Sequence, residues 1–176
     1  MVITYHTGNF SDSNQQAIKD FIFELSPRYT ESLEMEFDSI LSKAHCCYAI
    51  AKDGDAIVGL RLQFSVESNL YLTNHTELIG FLETVPTTLS SLVVPAHIFV
   101  KSEYLNQNIG AELSKRTAQC SIDAGYVYQI NYGYETQAIF NYAQKIGNLI
   151  DTGVEDYSDF RIYLRELQDT VNYVSP

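Results

Sequence analysis

A chain of 176 residues is about one domain long, and at that size a single core buries roughly two-thirds of the unfolded surface. An apolar fraction of 45% with 13 Tyr and 9 Phe argues against wholesale disorder, and a net charge of −11 works against nucleic acid or an anionic membrane as partner. No apolar run approaches the roughly 20 residues of a membrane span, the first ten residues lack the blocks of a signal peptide, and an odd set of cysteines (Cys46, Cys47, Cys120) points to a reducing, cytoplasmic setting.

In chain order, residues 2–5 form a short β-prone run that ends at Gly8. Ser13 and Gln16 then make a capping box for a first helix, with Ala17, Ile18, Phe21, Ile22 and Leu25 on one face and Pro27 as its stop. Leu33, Phe37, Ile40, Leu41 and Ala44 repeat helical spacing, so a second amphipathic helix is expected. Residues 47–50 and 56–66 read as antiparallel strands around the turn-forming pair Asp53-Gly54. Residues 67–91 mix turn formers with a short helix near residues 77–82 and read as an insertion.

Residues 92–100 are apolar enough for a strand buried on both faces, with Pro95 demanding an edge position or a bulge. A polar turn leads from there to Ile109, where Leu113, Thr117, Cys120 and Ala124 mark a helical stripe closed by Gly125. Residues 126–134 are β-prone, Thr136 caps a helix over 137–146, and Gly147 ends it. Residues 149–155 and 160–167 form a last hairpin with Phe160, Ile162 and Leu164 inward, and 168–176 read as a loose tail. Nothing divides the chain, so residues 1–167 are expected to form a single domain.

The stretch with chemical content runs from Val100 to Leu113, a buried strand, a polar turn and a helix start. The first amides of a helix have no internal partner, and the macrodipole places about half a positive charge there, so a phosphate can be held by backbone alone. Gly110 and Ala111 leave that backbone bare, and Asn108 tolerates positive φ. The same Asn-Ile-Gly-Ala start also serves as an ordinary cap.

With these elements in this order, the whole chain resembles the GNAT acyltransferase superfamily. That fold runs strand, two helices, a strand pair, then strand, helix, strand, helix and a final hairpin. The resemblance implies a mixed α/β sheet of six to seven strands, largely antiparallel with a central parallel pair, flanked by about four helices. The family signature has Arg or Gln, any two residues, Gly, any residue, then Gly or Ala. It falls on Leu105-Asn106-Gln107-Asn108-Ile109-Gly110, with Leu105 in place of the polar residue and Asn108 in place of the first glycine. By resemblance, backbone groups near Phe99 and Val100 pair with the pantetheine arm of acetyl-CoA. Amides of Leu105, Asn106, Gln107, Asn108, Ile109, Gly110 and Ala111 hold its pyrophosphate.

Residues 138–147 are similar to the family's fourth helix, in which a Tyr precedes a Lys, apolar, Gly ending, here one residue longer. The resemblance makes Tyr142 the acid that protonates the departing thiolate, against the alternative of a packed amphipathic tyrosine. Where the family often keeps Asn, this chain has Glu135, and that contact is not carried over. The general base is open between His97, relaying a proton through water or merely structural, and Glu103 in the loop. The four histidines are scattered and Cys46-Cys47 lacks metal-finger spacing, so no metal is expected.

The activity so implied is N-acylation, transfer of acetyl from acetyl-CoA to the amine of a small molecule or peptide. The alternative is a non-catalytic acyl-CoA-binding or regulatory protein of the same fold. Glu31, Glu34, Glu36, Glu155 and Asp156 are expected beside the acceptor and would favour a cationic amine. A longer acyl chain and a homodimer are both compatible with the sequence.

Overall fold

A computed structural model of the chain describes residues 2–9, 15–25, 45–66, 70–85, 87–133, 141, 144–155 and 161–174. The expected second helix over 33–44, Tyr142 and Asp156 lie outside the described residues.

The elements in chain order are β1 (Ile3–Asn9), α1 (Gln15–Leu25), β2 (Cys46–Asp53), β3 (Ala56–Ser65), α2 (Leu70–Thr73), α3 (Thr76–Leu82) and β4 (Leu92–Val100). They continue with α4 (Ile109–Asp123), β5 (Tyr128–Gly133), β6 (Ile150–Glu155), β7 (Arg161–Glu166) and α5 (Leu167–Asn172). Among the described residues the strands make one seven-stranded sheet in the order β1-β2-β3-β4-β5-β7-β6. Every neighbouring pair is antiparallel except β4 and β5, which run parallel. The mixed sheet with a central parallel pair is therefore as expected.

Alternation sorts the strands into two faces. Tyr48, Ile50, Leu60, Leu62, Phe64, Leu92, Val94, Ile130, Ile162 and Leu164 join Ile18, Phe21 and Ile22 of α1 in the main core. On the opposite face, Ala49, Ala51 and Val58 meet Ile109 and Leu113 of α4. Gly59 explains how close α4 comes: a Cβ there would stand 3.0 Å from Ile109 Cγ2 and 3.1 Å from Leu113 Cδ1.

Pro95 resolves to a bulge rather than an edge. Leu62 opposes His97 and Gln63 opposes Pro95, so Ala96 is the extra residue, and β4 sits in the middle of the sheet. Asn141, Gln144 and Lys145 are helical, in line with the helix expected over 137–146.

The expectation of a loose C-terminal tail is corrected. Residues 167–172 form α5, with Leu167 and Thr170 buried, and it packs on α4 through a small core of Val93, Ala118 and Leu167. Its apolar positions are too few for a periodic signal in six residues, so only the packing partner reveals the helix.

Candidate functional site

The parallel pair is short. Only Leu92 with Tyr128 and Val93 with Gln129 are in register, so β4 and β5 part beyond Val93 toward their carboxyl ends. A crevice at the carboxyl ends of such strands is where open α/β sheets take ligands. At the carboxyl end of β4 the chain makes a single 3-10 turn at Ser102–Tyr104, two left-handed residues, and then α4.

Asn106 and Asn108 have φ of 61° and 60°. Asparagine bears that conformation better than other side-chain-bearing residues, which accounts for this residue where a glycine is usual. Asn108 makes no side-chain cap bond, and the first bond of the helix runs from Glu112 N to Asn108 O at 3.0 Å. The amides of Ile109, Gly110 and Ala111 therefore have no partner within the helix.

These amides border a cleft of about 610 Å³ lined by Val100, Tyr104, Leu105, Asn106, Asn108, Ile109, Gly110, Ala111, Lys145 and Tyr173. In a chain of net charge −11, the described residues of this lining include one lysine and no carboxylate. The carboxylate of the first helical turn, Glu112, is drawn along α4 to Arg116 at 2.8 Å, and Arg116 stacks over the Tyr5 ring at 4.7 Å. Tyr104 is held from below, its hydroxyl donating to Asp53 Oδ2 at 2.9 Å, a bond that raises the phenol above its ordinary pKa. The tip of the β2-β3 hairpin thus braces the turn that carries the amides.

Of the site residues read from the sequence, Val100, Leu105, Asn106, Asn108, Ile109, Gly110 and Ala111 line this cleft. Gln107 does not; it is exposed and donates to Glu103 O at 3.3 Å. Phe99 packs against the core on the other face, so only its backbone can serve a ligand. His97 has its backbone beside the bulge, opposite Leu62, and its side chain lies outside the described residues, as does all of Tyr142. Glu103 is exposed, with its carboxyl lowered by its own backbone amide and then by Ser102. Among the amine-attracting acids expected, Glu155 pairs with Arg161 at 3.4 Å.

Three lining residues, Tyr104, Lys145 and Tyr173, are not among those read from the sequence. Lys145 stands in the quoted Lys-Ile-Gly ending, where its charge was the available signal. Tyr173 belongs to the supposed tail, and it brings Lys115 with it, whose Nζ lies 5.7 Å from the ring centre. Lys145 and Tyr173 also border an adjoining hollow of about 240 Å³ between residues 144–148 and α5.

No family model and no curated protein matches the sequence. Solved structures do match. A GNAT-family acetyltransferase from Staphylococcus aureus Mu50 superposes with a TM-score of 0.59 at 14% identity, covering 94% of this chain and 99% of that one. The PaiA N-acetyltransferase from Thermoplasma acidophilum, in complex with coenzyme A, gives 0.57 at 13% identity, with the same coverage of 94% and 99%. The AHL synthase LasI gives 0.63 at 8% identity, covering 97% and 95%. The sheet order, the parting of β4 from β5 and these superpositions agree, and the chain therefore carries the GNAT fold on a sequence divergent from the acetyltransferases that share it.

Proposed function

We propose that the protein is an acyl-CoA-dependent N-acyltransferase that moves an acetyl group from acetyl-CoA to the amine of a small molecule or peptide. One observation carries this reading: the uncapped amino end of the fifteen-residue helix α4 opens into a cleft whose described lining includes a lysine and no carboxylate. That combination suits a diphosphate, because the unpaired amides, the helix dipole and Lys145 all favour anionic oxygen. The GNAT fold shared with acyl-CoA-dependent enzymes supports the identity of the ligand.

In this reading the amides of Ile109, Gly110 and Ala111 seat the pyrophosphate. The Phe99 and Val100 backbone, freed by the divergence of β5, pairs with the pantetheine arm. Amides of β4 near the Ala96 bulge stabilise the oxyanion as a neutral amine attacks the thioester carbonyl. Tyr142 protonates the leaving thiolate, and His97 is the candidate relay for the amine proton. A direct transfer of this kind needs no covalent enzyme intermediate.

Titration with acetyl-CoA by calorimetry tests the reading. Saturable binding is expected, and a carboxylate among the amides, Gly110→Glu, should weaken it tenfold or more, about 1.4 kcal/mol. A purified chain that takes up no acetyl-CoA at millimolar ligand overturns it. Leu105, 54% exposed where the family has a polar residue, favours a second reading as a binder without turnover. Release of free thiol across a panel of amines separates the two, since a pure binder saturates without producing any.

A further inference from the structure

Cys47 and Cys120 are far apart in sequence and meet where β2 packs under α4. Cys47 is fully buried on the α4-facing side of β2, in alternation with Ala49 and Ala51. Its sulfur lies 3.7 Å from Thr117 O and 3.5 Å from Ser121 Oγ, in the same turn of α4 that carries Cys120, which places the two thiols close enough to shift each other's ionisation. Cys120 is half-buried and faces a separate cleft of about 380 Å³, lined also by Thr7, Arg116, Gln119, Asp123 and Ala124. Cys46 is on the opposite face of β2, in the main core, and cannot take part.

We propose that Cys120 and Cys47 form an oxidisable dithiol, in which a peroxide entering the cleft converts Cys120 to a sulfenic acid and Cys47 closes it to a disulfide joining α4 to β2. In the first step the Cys120 thiolate attacks one peroxide oxygen, the O–O bond breaks, and water or an alcohol leaves. In the second the Cys47 sulfur attacks the sulfenic sulfur, the S–O bond breaks, and water leaves. Two thiols lose two electrons and two protons, and the peroxide takes them up.

The division of labour follows from the surroundings. The neighbouring Cys47 side chain lowers the Cys120 thiol below its ordinary value, so the reachable sulfur is the one that ionises first. Cys120 in turn, followed by burial, pushes Cys47 well up, so it stays a thiol while Cys120 is oxidised and gives up its proton as it attacks the sulfenic sulfur.

The test treats the purified chain briefly with hydrogen peroxide, alkylates it under denaturing conditions and maps it by non-reducing mass spectrometry. The expected product has lost two hydrogens, links the Cys47 and Cys120 peptides, and carries alkyl only on Cys46. Cys46→Ser should still bridge. In Cys47→Ser, the Cys120 sulfenic acid should persist and be trapped by dimedone. Three alkylatable thiols after treatment, a bridge through Cys46, an intermolecular bridge, or sulfinic Cys120 without a bridge would each overturn the proposal. Because the readout is covalent mass on the wild-type chain, its outcome is independent of acetyl-CoA binding.

Discussion

Asn108 sets the entrance to α4 at φ 60°, and its side chain does not cap the helix, so the residue serves through its backbone. Asn108→Gly should therefore leave stability within about 1 kcal/mol and acetyl-CoA affinity equal or higher. Asn108→Val forces a β-branched residue into the left-handed region and should cost about 1–2 kcal/mol in denaturant unfolding, with weaker binding. Lys145→Ala should reduce affinity several-fold and flatten its salt dependence, as measured by titration at two ionic strengths. His45 offers a pH test at the same scale. It is nine-tenths buried, 3.3 Å from Ser121 Oγ and stacked 4.6 Å from the Tyr126 ring, and burial lowers its pKa below 6.5. The unfolded chain then binds the extra proton first. This contribution is complete above about pH 6.5 and is lost as pH falls from there toward the folded value. Thermal melts of His45→Gln should show a shallower decline from pH 7 to pH 5 than wild type.

Among the elements, α5 has the clearest consequence. Leu167 is fully buried between Val93 of β4 and Ala118 of α4, and the helix ends at Tyr173 on the rim of the cleft. Leu167→Ala should cost about 2–4 kcal/mol in urea unfolding and also lower acetyl-CoA affinity, because the wall carrying Tyr173 depends on that contact. A second anchor, His75, accepts from Leu78 N at 3.4 Å to cap α3 while its Nε2 meets Glu155 O of β6 at 3.1 Å. The elements differ in how visible they are from sequence. α1, the β2-β3 hairpin with its Asp53-Gly54 turn, and α4 up to Gly125 were legible because periodicity and turn chemistry are local. α5 was not, since six residues with two buried positions make no period. Nor was the partner of Cys47, because no spacing rule pairs a strand with a helix some seventy residues away.

At the scale of the whole molecule, a buried polar chain ties three strands together. Arg61 of β3 reaches across β4 to Gln129 Oε1 at 3.2 Å, Gln129 donates to Asn131 Oδ1 at 2.6 Å, and Arg165 of β7 donates to the same oxygen at 3.2 Å. It spans the sheet where β4 and β5 have only two residues in register, so it holds across the gap what the ladder does not. Gly147 fits beside it only for want of a Cβ, which would stand 2.5 Å from Arg165 Cδ. Gln129→Leu should cost about 1–3 kcal/mol in denaturant unfolding, since it leaves buried donors to find other acceptors.

By itself, the sequence determined α1, the β2-β3 hairpin, the passage from β4 into α4, the bare amides at the start of α4 and the residue types that suit an anion there. These follow from short-range patterns written along the chain. The tertiary structure alone decided that β7 sits between β5 and β6, that β4 and β5 separate after two pairs, and that the chain end walls the cleft. It alone brought Cys120 under the reach of Cys47. Those outcomes rest on which distant surfaces meet when the core closes, and no local preference records that choice.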